Sequence, residues 1–255
     1  MIAELIEDEA DAATTDGQMN TLIVRPSGPG PFPVVLFYMD APGRREELSE
    51  MARRIAACDY YVMLPNLYYR TVRDFQMQWD ADGLQRMFRI METLNRDLVA
   101  EDTAALLRLA DRDPAADADR IGAVGYCMSG RYAIGAAANH PDQVRCAASF
   151  HGTSLVTDEP DSPHRLVERT PAELYFGCAE FDDWADASVT AALAAAAQSA
   201  PGRVRTEVYP GARHGFVFAE GPAYQREGAE HHWDRLFSLF ARCLGTCGAS
   251  KRGLQ

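Results

Sequence analysis

Residues 121–130 read Ile-Gly-Ala-Val-Gly-Tyr-Cys-Met-Ser-Gly. A short apolar run ends in Gly-x-Cys-x-Ser-Gly, and an Ala-rich stretch follows with no proline until Pro141. That order predicts a strand, a sharp turn and a helix. In a strand-to-helix turn this tight, the turn residue is strained and its side chain stands in the open above the sheet. Small residues must flank it, because Cβ atoms there would meet the neighbouring strand and helix. The turn residue here is Cys127. A buried thiol in a glycine-rich turn would give the same local pattern, since free cysteine is among the most buried residue types. The residues downstream decide between the two.

The rest of the chain alternates strand and helix signals. Residues 10–15 and 21–24 flank Asp16-Gly17 as a hairpin. Residues 26–33 hold four prolines and two glycines and are expected as a loop. The continuous apolar runs 34–38, 60–64 and 144–150 suit strands covered on both faces. Helical spacing runs through 44–58, with Leu48, Met51, Ala52 and Ile55 on one side. Helices are also expected over 82–94, 99–111, 185–200 and 222–244, and strands over 173–177 and 204–209. Residues 66–79 are aromatic and irregular, helix or lid, and residues 113–119 are expected as a loop. No repeat or linker marks a second domain, so residues 1–255 are expected as one domain. The acidic segment 1–20 and a frayed tail at 248–255 would be peripheral. Strands alternating with helices predict an α/β fold, a mostly parallel central sheet with helices on both faces.

A formal net charge of −12 argues against nucleic acid as a partner, because phosphate binding needs a basic patch. The acidic start lacks the basic and apolar regions of a signal peptide, and no apolar run approaches the ~18 residues of a membrane span. No membrane association is expected. The six cysteines, Cys58, Cys127, Cys146, Cys178, Cys243 and Cys247, show no paired CxxC spacing. They read as reduced thiols of a cytoplasmic protein, and no metal site is expected.

Three segments carry the chemistry. Cys127 follows one strand. Cys178-Ala179-Glu180-Phe181-Asp182-Asp183-Trp184 follows the strand at 173–177, and Pro210-Gly211-Ala212-Arg213-His214-Gly215-Phe216 follows the strand at 204–209. All three stand at carboxyl ends of strands, where open α/β sheets bind ligands. A thiol needs a neighbouring imidazole to become a thiolate near neutral pH, and a carboxylate must fix the imidazole tautomer. The acid could be Glu180, Asp182 or Asp183.

With these motifs, and with Leu64-Pro65-Asn66-Leu67-Tyr68, the chain resembles the dienelactone hydrolase family of α/β-hydrolases over nearly its whole length, about residues 22–244. The resemblance implies Cys127 as nucleophile, Asp182 as acid and His214 as base. It implies an oxyanion hole from the N–H groups of Met128 and Ala41, and Asp40 where the family has a glutamate that contacts the resting thiol. Asp40 could equally be a turn or helix-capping residue. Ser129 replaces the usual glycine two places after the nucleophile. Phe218 stands where family members that hydrolyse dienelactone place an arginine for the substrate carboxylate; Arg86 or Arg89 could supply a charge instead. Tyr126, Trp184, Phe216 and Phe218 are candidate pocket residues, with Phe75 and Trp79 near the expected mouth.

The expected activity is hydrolysis of a small-molecule ester or lactone through a thioester, without cofactor or metal, the oligomeric state being open. A carboxylesterase or thioesterase for hydrophobic acyl groups, or a non-catalytic redox sensor on the same fold, are the alternatives. His151 at a strand end could line the pocket but is expected as a structural or rim histidine, and Cys178 is expected in the core. His140 and His164 are expected in solvent. His231 and His232 diverge by about 100° on a helix, which disfavours a shared metal.

Overall fold

The computed structural model describes residues 4–245. The tail expected at 248–255 and Cys247 lie outside them. By its internal contacts the described chain forms two compact units, residues 4–120 and 121–245.

In the first unit the strands are β1 (Leu5–Thr14), β2 (Gly17–Pro26), β3 (Phe32–Tyr38) and β4 (Tyr61–Pro65). Their order is β1-β2-β4-β3. β1 and β2 form an antiparallel hairpin in which Thr14 faces Gly17; its strands are longer than the sequence pattern shows. β4 is antiparallel to β2 and parallel to β3. Helix α1 (Glu46–Ala56) buries Leu48, Met51, Ala52 and Ile55 against β2 and β4. Burying Leu48, Met51 and Ile55 stabilises this packing by about 1.5–3 kcal/mol each. Helices α2 (Ala81–Met91) and α3 (Arg96–Arg112) start on side-chain caps: Gly83 N–H donates to Asp80, and Leu98 N–H donates to Asn95. Each cap satisfies a backbone donor the helix leaves open. The segment between β4 and α2 is turn and irregular backbone rather than helix.

Strand β5 (Ala116–Tyr126) leads into the second unit. It starts five residues earlier than the apolar pattern, and absorbs part of the expected loop. β6 (Val144–Phe150), β7 (Glu173–Phe181) and β8 (Val204–Arg213) follow in the order β5-β6-β7-β8, every pair parallel. Helix α4 (Gly130–Asn139) packs on β6, and the short α5 (Pro163–Val167), which the sequence pattern does not show, contacts α4 and α6 (Ala187–Ala196). The last helix, α7 (Arg226–Leu244), packs on β6, β7 and β8. The Asp186 carboxylate caps α6 by accepting from Ser188 and Val189 N–H.

Candidate active site

The site is built on the turn between β5 and α4. Cys127 has φ +53°, a left-handed conformation that is strained for a residue with a side chain. The turn closes because its neighbours are small. A Cβ on Gly125 would overlap the Ser129 carbonyl, and one on Gly130 would overlap Ser149 Oγ. Ser129 does more than fit. Its hydroxyl accepts from Tyr126 N–H at 3.0 Å and donates to Tyr126 C=O at 3.0 Å. The serine therefore clamps the turn that a glycine would leave free. Thr153 N–H holds the Cys127 carbonyl at 3.0 Å. Met128 is buried in the first turn after Cys127.

Register brings the acid and the histidine together. Phe181 on β7 pairs with Arg213 on β8, beyond a register shift that follows Ala179. Asp182 and His214 are thus the next residues of two adjacent parallel strands. His214 Nδ1 and Asp182 Oδ2 lie 2.8 Å apart, and Trp184 N–H donates to Asp182 Oδ1 at 2.9 Å. Both carboxylate oxygens are engaged and the side chain is buried. Both strands run four residues further than expected, so Glu180 lies inside β7. There it accepts from Gly211 N–H at 2.6 Å, which ties β7 to β8. Asp183 is exposed.

His214 also engages Cys127 by hydrogen bond and by charge. Burial opposes a positive charge on the ring. The hydrogen bonds to Asp182 and Cys127, with the charges behind them, outweigh it and raise His214 to about 10. An imidazole held between a carboxylate and a thiol can accept the thiol proton and keep it, which is what acyl transfer from a cysteine requires.

His151 is the first residue after β6. It is fully buried rather than at a rim, and its ring meets the His214 ring at 4.8 Å, edge to face. Tyr126, Phe216 and Phe218 are also buried and surround His151 at 5.5–6.0 Å between ring centroids. Phe218 packs on Tyr126 at 5.7 Å, within the same aromatic cluster. Trp184 is 60% exposed.

His232 Nδ1 donates to Ala229 C=O at 3.0 Å, and its Nε2 lies 2.8 Å from the Tyr126 hydroxyl oxygen. His231 lies 3.0 Å from Glu207. His164 is within 2.8 Å of Ser162 Oγ, and both His140 and His164 are half-buried rather than fully solvated. Cys178 is buried as expected, while Cys58 and Cys243 are half-buried, like Cys127. Among the described residues no three His, Cys, Asp or Glu side chains cluster to hold a metal, and no helix is long and apolar enough to cross a membrane.

Asp40 and Ala41 lie in the first unit, just after β3. Asp40 is buried, and its carboxylate accepts from Arg45 at 2.6 and 3.2 Å. Burial still pushes the carboxyl up, against the pull of the guanidinium. Its carbonyl accepts from Gly43 N–H at 3.0 Å, so the backbone does form a turn. The side chain does not cap α1, whose first residue has no side-chain cap. Ala41 C=O accepts from the Tyr68 hydroxyl at 2.8 Å. Phe75 is buried and Trp79 exposed. The Arg86 guanidinium stands 5.4 Å over the Phe75 ring.

A family model described as the dienelactone hydrolase family matches residues 19–244. A Methylorubrum extorquens protein named putative carboxymethylenebutenolidase is 27% identical over 92% of this chain and 81% of its own length. A Bradyrhizobium protein named probable 2-oxo-3-(5-oxofuran-2-ylidene)propanoate lactonase is 24% identical over 89% and 90%. The crystal structure of a putative dienelactone hydrolase from Klebsiella pneumoniae superimposes with a TM-score of 0.84 at 24% identity, covering 94% of this chain and 99% of that one. That likeness establishes the α/β-hydrolase fold. With the match running through nearly every strand and helix described above, the chain belongs to the dienelactone hydrolase family.

Proposed function

We propose that this protein hydrolyses an ester or lactone of a small molecule, with Cys127 as nucleophile and a thioester intermediate. The observation that carries the reading is the His214 ring, hydrogen-bonded to Asp182 at 2.8 Å on one side and engaged with Cys127 on the other. His214 takes the Cys127 proton as sulfur attacks the carbonyl carbon. It returns that proton to the departing alkoxide, then removes a proton from water so that hydroxide cleaves the thioester and frees the thiol. Asp182 holds Nδ1 protonated, which leaves Nε2 to face the thiol. Met128 N–H at the turn is the oxyanion donor of this unit.

Two relatives are named for lactones, and a lactone is the substrate class we favour. Phe218 in place of a cation, packed among uncharged rings, favours a substrate without a carboxylate at that point. The same cluster, with Trp184 exposed beside Asp182, also suits hydrophobic acyl esters. Turnover of p-nitrophenyl acetate, abolished in Cys127→Ala and lost in step with limiting iodoacetamide on Cys127, tests the reading. Activity persisting in Cys127→Ala, or first labelling at Cys58 or Cys243, would remove Cys127 as the nucleophile.

A further inference from the structure

His151 carries two unfavourable features at once. Its backbone is left-handed, φ +37°, and neither Nδ1 nor Nε2 of its buried ring has a hydrogen-bond partner on another residue. Both features destabilise a fold. The ring lies among Tyr126, Phe216 and Phe218, where a wholly apolar aromatic residue would satisfy the packing without the orphaned nitrogens. Packing therefore does not account for a histidine here.

Register supplies the second observation. Tyr126 on β5 pairs with Phe150 on β6, so Cys127 and His151 are the next residues of two adjacent parallel strands, both left-handed. His151 N–H is fixed to Gly177 C=O at 2.7 Å. The ring is thus set on a rigid strand end beside the thiol turn, and stands edge to face on His214 at 4.8 Å and 71°.

We propose that His151 is a positioning residue for His214: its uncharged ring holds the His214 imidazole in the plane that serves both Asp182 and Cys127, and steadies the imidazolium while it carries the proton. The inference rests on the Cys127–His214 reading above. The groups that face His151 are His214 from the turn after β8, His232 from α7 and the Tyr126 phenol from β5; Phe216 and Phe218 are uncharged. Burial, then the charges of His214 and His232, holds His151 well below the usual histidine range. His151 therefore stays neutral while His214 is charged, and a neutral aromatic ring attracts a cation that stands over its face, an arrangement the 71° crossing of the two rings permits.

The test compares His151→Leu and His151→Phe in the intact protein. Both remove the two unpaired nitrogens, and only the second keeps an aromatic ring. Three readouts are needed: kcat and KM on p-nitrophenyl acetate, the melting temperature, and the His214 titration followed by NMR. In His151→Leu we expect kcat to fall about tenfold or more with KM within about twofold, and the His214 midpoint to drop by about one pH unit. In His151→Phe we expect kcat within about threefold of wild type and an unmoved midpoint. Melting temperatures should stay within a few degrees of wild type, so that lost activity is not lost folding. The proposal is overturned by a Leu variant with wild-type kcat and an unmoved midpoint, or by a Phe variant that loses as much as Leu. If His151→Leu does not fold, His151→Met takes its place. Cys127→Ala, run alongside, separates the two readings. Activity there refutes the nucleophile, whereas the His214 titration reports on His151 with no turnover required.

Discussion

Replacing Asp182 by asparagine perturbs one hydrogen bond while sparing its neighbour. Trp184 N–H donates to Oδ1 at 2.9 Å, and the asparagine carbonyl can keep that bond. The amide NH₂ then points at His214 Nδ1, where the carboxylate accepted at 2.8 Å. Two donors cannot share that contact. The neutral ring must move its proton to Nε2, which places N–H rather than a lone pair against the thiol. The charge is lost as well. His214 stands at about 10 against an ordinary 6.5, a preference for the charged ring of roughly 5 kcal/mol at 1.36 kcal/mol per pH unit. Asp182 and Cys127 share that preference. If half belongs to Asp182, its loss is about 2.5 kcal/mol, on the order of 10²-fold in rate. The tautomer error extends the range to about 10⁴. We predict that kcat on p-nitrophenyl acetate falls by about 10²–10⁴, measured per folded site by titrating Cys127 with a thiol reagent. Asp183 is exposed, so Asp183→Asn should cost less than about tenfold. An Asp182→Asn enzyme within about tenfold of wild type, or the reverse ranking of the two variants, would refute the assignment.

The raised His214 also makes stability depend on pH: the folded state binds the proton more tightly, so its contribution is full below about 6.5 and is lost as pH rises towards about 10. Denaturant melts of wild type and His214→Gln should converge over that window, and a constant gap would contradict it. For substrate charge, neutral lactones should exceed matched carboxylated ones in kcat/KM, because Phe218 adds no cation and the net charge of −12 repels anions at long range. A carboxylated lactone preferred by more than about tenfold would show that an arginine elsewhere supplies the charge. Asp40→Asn should destabilise by on the order of 2 kcal/mol, since Arg45 loses the charge of a buried bidentate partner while its pair with Glu47 remains. Denaturation that matches wild type, with kcat reduced about 10²-fold, would instead return Asp40 to thiol activation.

The turn around Cys127 was legible because steric demands act locally. Gly125, Ser129 and Gly130 are needed wherever a backbone bends this sharply, and the sequence states them. Strand ends were less legible, because tertiary pairing supplies what local pattern lacks. Glu180 and Phe181 are exposed and show no buried-strand pattern, yet they belong to β7 through pairing with β8. Pro210 reads as a turn, but β8 is the edge strand, where a missing N–H is tolerated. Asp117 and Asp119 are poor strand formers, and β5 runs through both. His151 follows a correctly placed strand, yet the sequence left a structural and a rim position open, because its burial is decided by rings from β5 and from the turn after β8.

What no reading of single segments could supply is register. Two pairings, Tyr126 with Phe150 and Phe181 with Arg213, place four functional candidates as the first residues past their paired positions: Cys127 beside His151, and Asp182 beside His214. Side chains alternate faces along a strand, so a slip of one residue in β8 would turn His214 to the opposite face. The register shift after Ala179 and the Glu180–Gly211 bond fix that slip at the point where it matters. Glu180, a rival for the acid by sequence, thus serves the site through backbone geometry, while the residue two places on faces the imidazole.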